Sequence, residues 1–249
     1  MKAPDLVADA NRTVVAVGVL SAGLAFCSVF AAERSLVALG LQLLAAEFMA
    51  GKMAVPWASA YRPVAGVRDV AEYMGRGFAI GAVAASVSGV AAKMGLGVDL
   101  DLGRLVGFGA LLGALELLLA GARDEILLRG MIRRGFAGIL SRPMVSVVAA
   151  LAGCAWAFGL GEDHLEVLLR EGALALVAVE LWRLDDGAFS AIGFQAAFRF
   201  LEASFAGTKA VPSVLVAESV VLALTAVILW QKPDPADVVE ARLGKLYYS

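Results

Sequence analysis

Asp124 and Glu125 are adjacent acids that follow the apolar run 107–122, and Arg129 stands four positions beyond Glu125. On a helix Glu125 and Arg129 face each other in the favoured acid-first order for an ion pair. Asp124 is turned about 100° away from its neighbour, so one carboxylate can be held while the other is left as a candidate base. A carboxylate in a low-dielectric site near an imidazole can take a proton from water, and a second donor can stabilise the oxyanion that results. The chemistry would be hydrolysis. A charge at the end of a membrane span is costly unless it is paired or faces a wet cavity, so the acids call for partners. A plainer reading stands beside this one: Arg123, Asp124 and Glu125 end a span at the headgroups, with Arg129, Arg133 and Arg134 as cytoplasmic anchors.

The elements that must position these residues are membrane helices. The chain of 249 residues is 60% hydrophobic with a mean hydropathy of +0.80, far outside the range of soluble domains. Counting stretches near the twenty apolar residues needed to cross a bilayer gives about eight spans, near 13–32, 36–58, 77–95, 104–124, 144–161, 172–183, 187–205 and 211–231. The sixth and seventh are short, broken by Arg183-Leu184-Asp185-Asp186-Gly187, and read as one re-entrant or hairpinned unit. The whole chain is expected to form a single all-α membrane domain, with a polar tail over about 232–249. Basic residues concentrate in alternate segments when the N-terminus is inside. The outer segments then hold only Arg34, Lys93, Arg104, Arg170, Arg199 and Lys209, together with the acids Asp99, Asp101, Glu162, Asp163, Glu166 and Glu171. Both termini are therefore expected in the cytoplasm, and a bacterial inner membrane suits the Ala/Gly/Val-rich composition.

Asp124-Glu125-x-x-x-Arg129-Gly130 resembles the Glu-Glu-x-x-x-Arg motif of the CAAX-protease and bacteriocin-processing family, also called the Abi family of intramembrane glutamic proteases. The family's second motif, Phe-x-x-x-His, has a counterpart in the segment from Trp156 through Phe158 to His164, where the spacing from Phe158 is longer and Leu160 or Glu162 could hold the histidine's place. The third, His-x-x-x-Asn, is similar to Gln195-x-x-x-Arg199. The likeness covers about 105–200 in order and spacing, and implies an Abi-like core with a polar cavity between spans four, five and seven. It further implies endoproteolysis of a peptide or protein at the membrane. Asp124 would activate water, Glu125 and Arg129 would hold the site, His164 would assist proton transfer, and Gln195 or Arg199 would stabilise the oxyanion. Because the chain contains a single histidine, the family's two-histidine site cannot form. The alternative is a catalytically inactive relative, a scaffold that holds a partner's transmembrane segment.

His164, after two acids in an outer loop, is equally a solvated surface group. Glu47, Glu116, Glu180 and Glu218 interrupt apolar runs and would be the relay of a proton-coupled permease, a reading weakened by the lack of a repeated half. Gly107, Gly109 and Gly113 form a small-residue face suited to close helix packing. Cys27 and Cys154 read as packing residues. With one histidine and two distant cysteines a closed zinc site lacks ligands, and no cofactor is implied. No basic patch interleaved with aromatics suggests nucleic acid, so the expected partners are membrane lipid and a peptide, protein or transmembrane-segment ligand.

Overall fold

The computed structural model describes residues 36–52, 66–97, 101–130, 132, 140–159, 161–185, 187–203 and 212–233. The first expected span, Arg133, Arg134, Leu160, Asp186, the side chain of Glu47 and the tail beyond 233 lie outside the described residues. Every regular element described is helical: α1 Leu36–Lys52, α2 Val67–Leu96, a 3-10 turn Leu102–Leu105, α3 Phe108–Asp124, a π-helical turn Glu125–Gly130, α4 Arg142–Gly159, α5 Leu165–Asp185, α6 Phe189–Glu202 and α7 Pro212–Trp230. Their ends follow local chemistry. Pro212 opens α7 at the position where a missing N–H costs nothing. Gly97, in the left-handed region at φ 65°, closes α2 by donating its N–H to the Lys93 carbonyl.

Among the described residues three helices are long and apolar enough to cross a membrane: Val67–Gly95, Arg142–Gly159 and Pro212–Trp230. Their surfaces are inverted relative to a soluble protein. Leu151 and Phe158 on α4 and Leu224 and Ile228 on α7 face outward, whereas Asp124, Glu125, Arg129, Glu171, Glu180 and Glu218 are buried. That distribution suits hydrocarbon outside and paired charges inside. It is the physical ground for reading the chain as a membrane protein.

The helices alternate in direction, and hydrogen bonds tie their ends together. Arg76 near the start of α2 pairs with Asp185 at the end of α5 at 2.6 Å, and Ser190 at the start of α6 donates its hydroxyl to the Tyr73 carbonyl at 2.8 Å. Arg142 at the start of α4 donates to the Trp230 carbonyl at 2.5 Å, while Arg183 reaches the Leu229 carbonyl at 2.8 Å and so caps α7. Glu180, a permease candidate from the sequence, is the acid at the centre of this clamp, accepting from Arg142, Arg183 and Ser146.

Two expectations need correction. Span six is not a short 172–183 segment: α5 begins at Leu165 and runs unbroken for 21 residues. The helix continues through Arg170 and Glu171, assigned above to an outer loop, because both side chains find opposite charges on neighbouring helices and need no water. The break expected at 183–187 falls at the end of α5, and α5 and the 14-residue α6 fit the hairpinned alternative, with a longer first arm than the sequence suggested.

The glycines that bring helices together also differ from those expected. Gly109 and Gly113 meet no described atom within 4 Å, and Phe108 and Leu111 beside them are exposed. Helix α3 packs instead through its Gly121 end, where an added Cβ would lie 3.7 Å from the Ile192 carbonyl oxygen on α6, on the turn that leads into the buried acidic pair. The tightest approach is between the parallel helices α2 and α6. A Cβ at Gly77 or Gly81 would overlap the carbonyl oxygens of Ser190 or Phe194, and one at Gly193 would overlap that of Met74. Trp182, Phe194 and Phe198 fill the core beside this seam.

Candidate functional site

Helix α3 does not end at water. After Asp124 the backbone widens into the π-helical turn Glu125–Gly130, and Ile126, Leu128, Arg129 and Gly130 on that turn are themselves buried. π-helical turns recur at functional sites because the inserted residue redirects side chains out of the regular face. Here the turn carries Glu125 and Arg129 into the bundle. The acidic pair thus sits inside the protein, where the neighbouring helices supply donors in place of water.

The two carboxylates have different surroundings. Glu125 is fully buried. Its Oε2 accepts the indole N–H of Trp182 on α5 at 2.6 Å, and its Oε1 accepts the amide of Gln195 on α6, with Arg129 Nη1 3.5 Å away. Three donors from three elements satisfy a charge that would otherwise be expensive in the interior. Gly130 makes room for this arrangement: an added Cβ would lie 3.3 Å from the Trp182 ring. Trp182→Phe removes one donor from a buried carboxylate, so it is expected to lower stability by about 1–3 kcal/mol, read as an earlier unfolding midpoint in denaturant.

Asp124 is held by its own neighbour. Arg123 donates through Nε at 2.8 Å and approaches through Nη2 at 2.7 Å, both to Oδ1. The other carboxylate oxygen, Oδ2, takes part in neither contact. Arg123 is itself fixed by Gln42 on α1 at 2.5 Å and by the face of Trp156 on α4, 5.1 Å from guanidinium carbon to ring centroid. Arg199, one turn after Gln195, donates to Glu171 Oε2 at 2.6 Å and is close enough to Asp124 for their charges to interact.

The structure therefore brings Asp124, Glu125, Arg129 and Gln195 together, with Arg199 at their edge. It does not bring His164. That side chain is 77% exposed in the loop before α5, its nearest charged partner being Asp163 at 3.8 Å. Trp182, which touches Glu125, lies eighteen residues further along the same helical stretch, about 27 Å at 1.5 Å per residue. Phe158, its supposed motif partner, is also exposed. Gly161, at φ 89°, and the bond from Glu162 N–H to the Ala157 carbonyl at 3.1 Å turn the chain outward before His164 is reached. Glu116, two turns before Asp124, is partly buried on α3.

Four participants were not selected from the sequence: Arg123 as the partner of Asp124, Gln42, Trp182 and Glu171. Trp182 carried a usable signal, because a tryptophan inside a buried helix needs an acceptor for its N–H. Comparison with protein-family models, curated proteins and solved structures finds no match to this chain. The chemistry of the site has to be argued from its own residues.

Proposed function

We propose that this chain is an intramembrane endopeptidase of the kind its Asp124-Glu125-x-x-x-Arg129 motif resembles, with Asp124 as the base. The observation that carries the reading is the division of labour between the adjacent acids. Glu125 is bound by Trp182, Gln195 and Arg129, whereas the contacts to Asp124 among the described residues, both from Arg123, fall on Oδ1. Oδ2 would take a proton from water as the water oxygen bonds to the scissile carbonyl carbon. The tetrahedral oxyanion would lie against Arg129 or Arg199, since each guanidinium offers five N–H donors and Arg199 commits one to Glu171. Asp124 would then return the proton to the departing nitrogen as the C–N bond breaks. His164 has no part in this scheme, and Gln195 acts on Glu125 instead of on the oxyanion. The Abi-like core of about eight spans and the cytoplasmic termini belong to the same proposal. In its support, the helix ends carrying Arg76, Arg142, Arg183 and the π-turn lie together, opposite the end with Glu162, Asp163 and Glu166.

A second reading, a non-catalytic scaffold that holds a partner's transmembrane segment, is favoured by the exposure of the single histidine. Comparing new protein termini in membranes that contain the wild type or the Asp124→Asn/Glu125→Gln variant, matched for folded protein, separates the two. Termini that depend on the wild type support the peptidase. Identical profiles with an unchanged co-purifying partner support the scaffold.

A further inference from the structure

Away from the acidic pair, two arginines and three glutamates are packed between α5, α6 and α7. Arg170 donates through Nη1 to Glu202 at 2.5 Å and through Nη2 to Glu171 at 3.0 Å, and Arg199 donates to the other oxygen of Glu171 at 2.6 Å. Glu218, from the middle of α7, is 1% exposed. Its closest cation is Arg170 Nη1, 3.8 Å from Oε2 and already engaged by Glu202. Among the described residues Glu218 Oε2 has no hydrogen-bond partner, and neither has Arg170 Nε, although both atoms are buried.

The charges facing Glu218 are Arg170 and Glu171 from α5 and Glu202 from α6, with Arg199 behind Glu171. Glu218 is the one charged residue of α7. From α2, which also packs on α7, the register set by Gly77 against Ser190 places Ser88 level with the end of α6. Ser88 is fully buried and its hydroxyl has no partner among the described residues, while Lys93 beyond it is exposed. No group of acids, histidine or cysteine among the described residues is placed to hold a metal ion. Three ionised glutamates against two arginines would leave one negative charge uncompensated in the interior.

We propose that Glu218 is a buried proton-binding site, occupied as the neutral acid, whose proton balances the Arg170–Glu171–Arg199–Glu202 network. As a neutral acid its O–H is a donor and its carbonyl an acceptor, compatible with a long approach to Arg170. When the proton leaves, the carboxylate draws on Arg170, whose Nε is idle in this state. Proton occupancy thus selects whether Arg170 grips Glu202 or Glu218. Glu202 closes α6, the helix that carries Gln195 and Arg199, so this exchange is linked mechanically to the acidic pair. The inference does not depend on peptidase activity, because Glu218 has no role in that scheme.

The test uses the full chain in detergent or bilayers at neutral pH. Glu218→Gln is isosteric with the neutral acid, so its Tm is expected to stay within about 2 °C of the wild type, whereas Glu202→Gln, which breaks a direct bond to Arg170, lowers it further. Infrared difference spectra of wild type and Glu218→Gln are expected to differ by one protonated-carboxyl carbonyl band, present only in the wild type. Absence of that band from the wild type, its persistence in Glu218→Gln, or a Glu218→Gln protein that unfolds or loses as much Tm as Glu202→Gln overturns the proposal.

Discussion

Replacing Gly77 with leucine is expected to abolish accumulation of folded protein. The first atom of any side chain there would occupy the space of the Ser190 carbonyl oxygen, which is backbone and cannot rotate aside. Relief would require α2 and α6 to separate. Separation would break the bond from Ser190 to the Tyr73 carbonyl, loosen the contact between Ser190 and Asp185, and disturb the Arg76–Asp185 pair that joins three helix ends. Overpacking alone costs about 1–3 kcal/mol and sometimes more, and the broken polar contacts add to it, against a total stability of about 5–15 kcal/mol for a folded domain. Gly75→Leu is the control, since a Cβ added there would meet no described atom of another element within 4 Å. Monodisperse elution of the Gly75 variant beside aggregation of the Gly77 variant is the expected result in size-exclusion chromatography.

On the proposed peptidase mechanism, Asp124→Asn is expected to reduce cleavage by about 10²–10⁴-fold, the usual contribution of a positioned acid–base group, without loss of fold. Asparagine keeps an oxygen that can accept from Arg123 at Oδ1, so the Gln42–Arg123–Trp156 support survives. Glu125→Gln should behave differently. Its amide replaces a carboxylate satisfied by Trp182, Gln195 and Arg129 with a group that turns donors toward donors. Stability is expected to fall by about 1–3 kcal/mol along with activity. Turnover normalised to folded protein, measured beside denaturant midpoints, distinguishes a lost base from a lost support.

Much of this arrangement was legible in the residues. The composition and the outward apolar faces agree in class, and the acid-first spacing of Glu125 and Arg129 gave their pairing because four residues make about one turn even where the helix widens. Gln195 was placed beside the acids, though as a donor to Glu125. Other features depend on contacts between distant segments. Arg170 and Glu171 looked like loop residues because a charge pair interrupting an apolar run resembles a boundary, and their partners Glu202 and Arg199 come from another helix. Gly77 and Gly109 are equivalent by type, and they differ in what the fold sets against them: the Ser190 carbonyl beside Gly77 and no described atom within 4 Å of a Cβ at Gly109. The distance to His164 follows from α5 starting early, a consequence of the same buried charges.

On the proposed mechanism Asp124 activates water without a histidine. The most direct measurement compares new protein termini in membranes carrying wild type, Asp124→Asn or His164→Ala at equal folded amounts. Termini made by the wild type are expected to persist with His164→Ala and to vanish with Asp124→Asn. Termini that survive Asp124→Asn, or that disappear with His164→Ala, would contradict that mechanism.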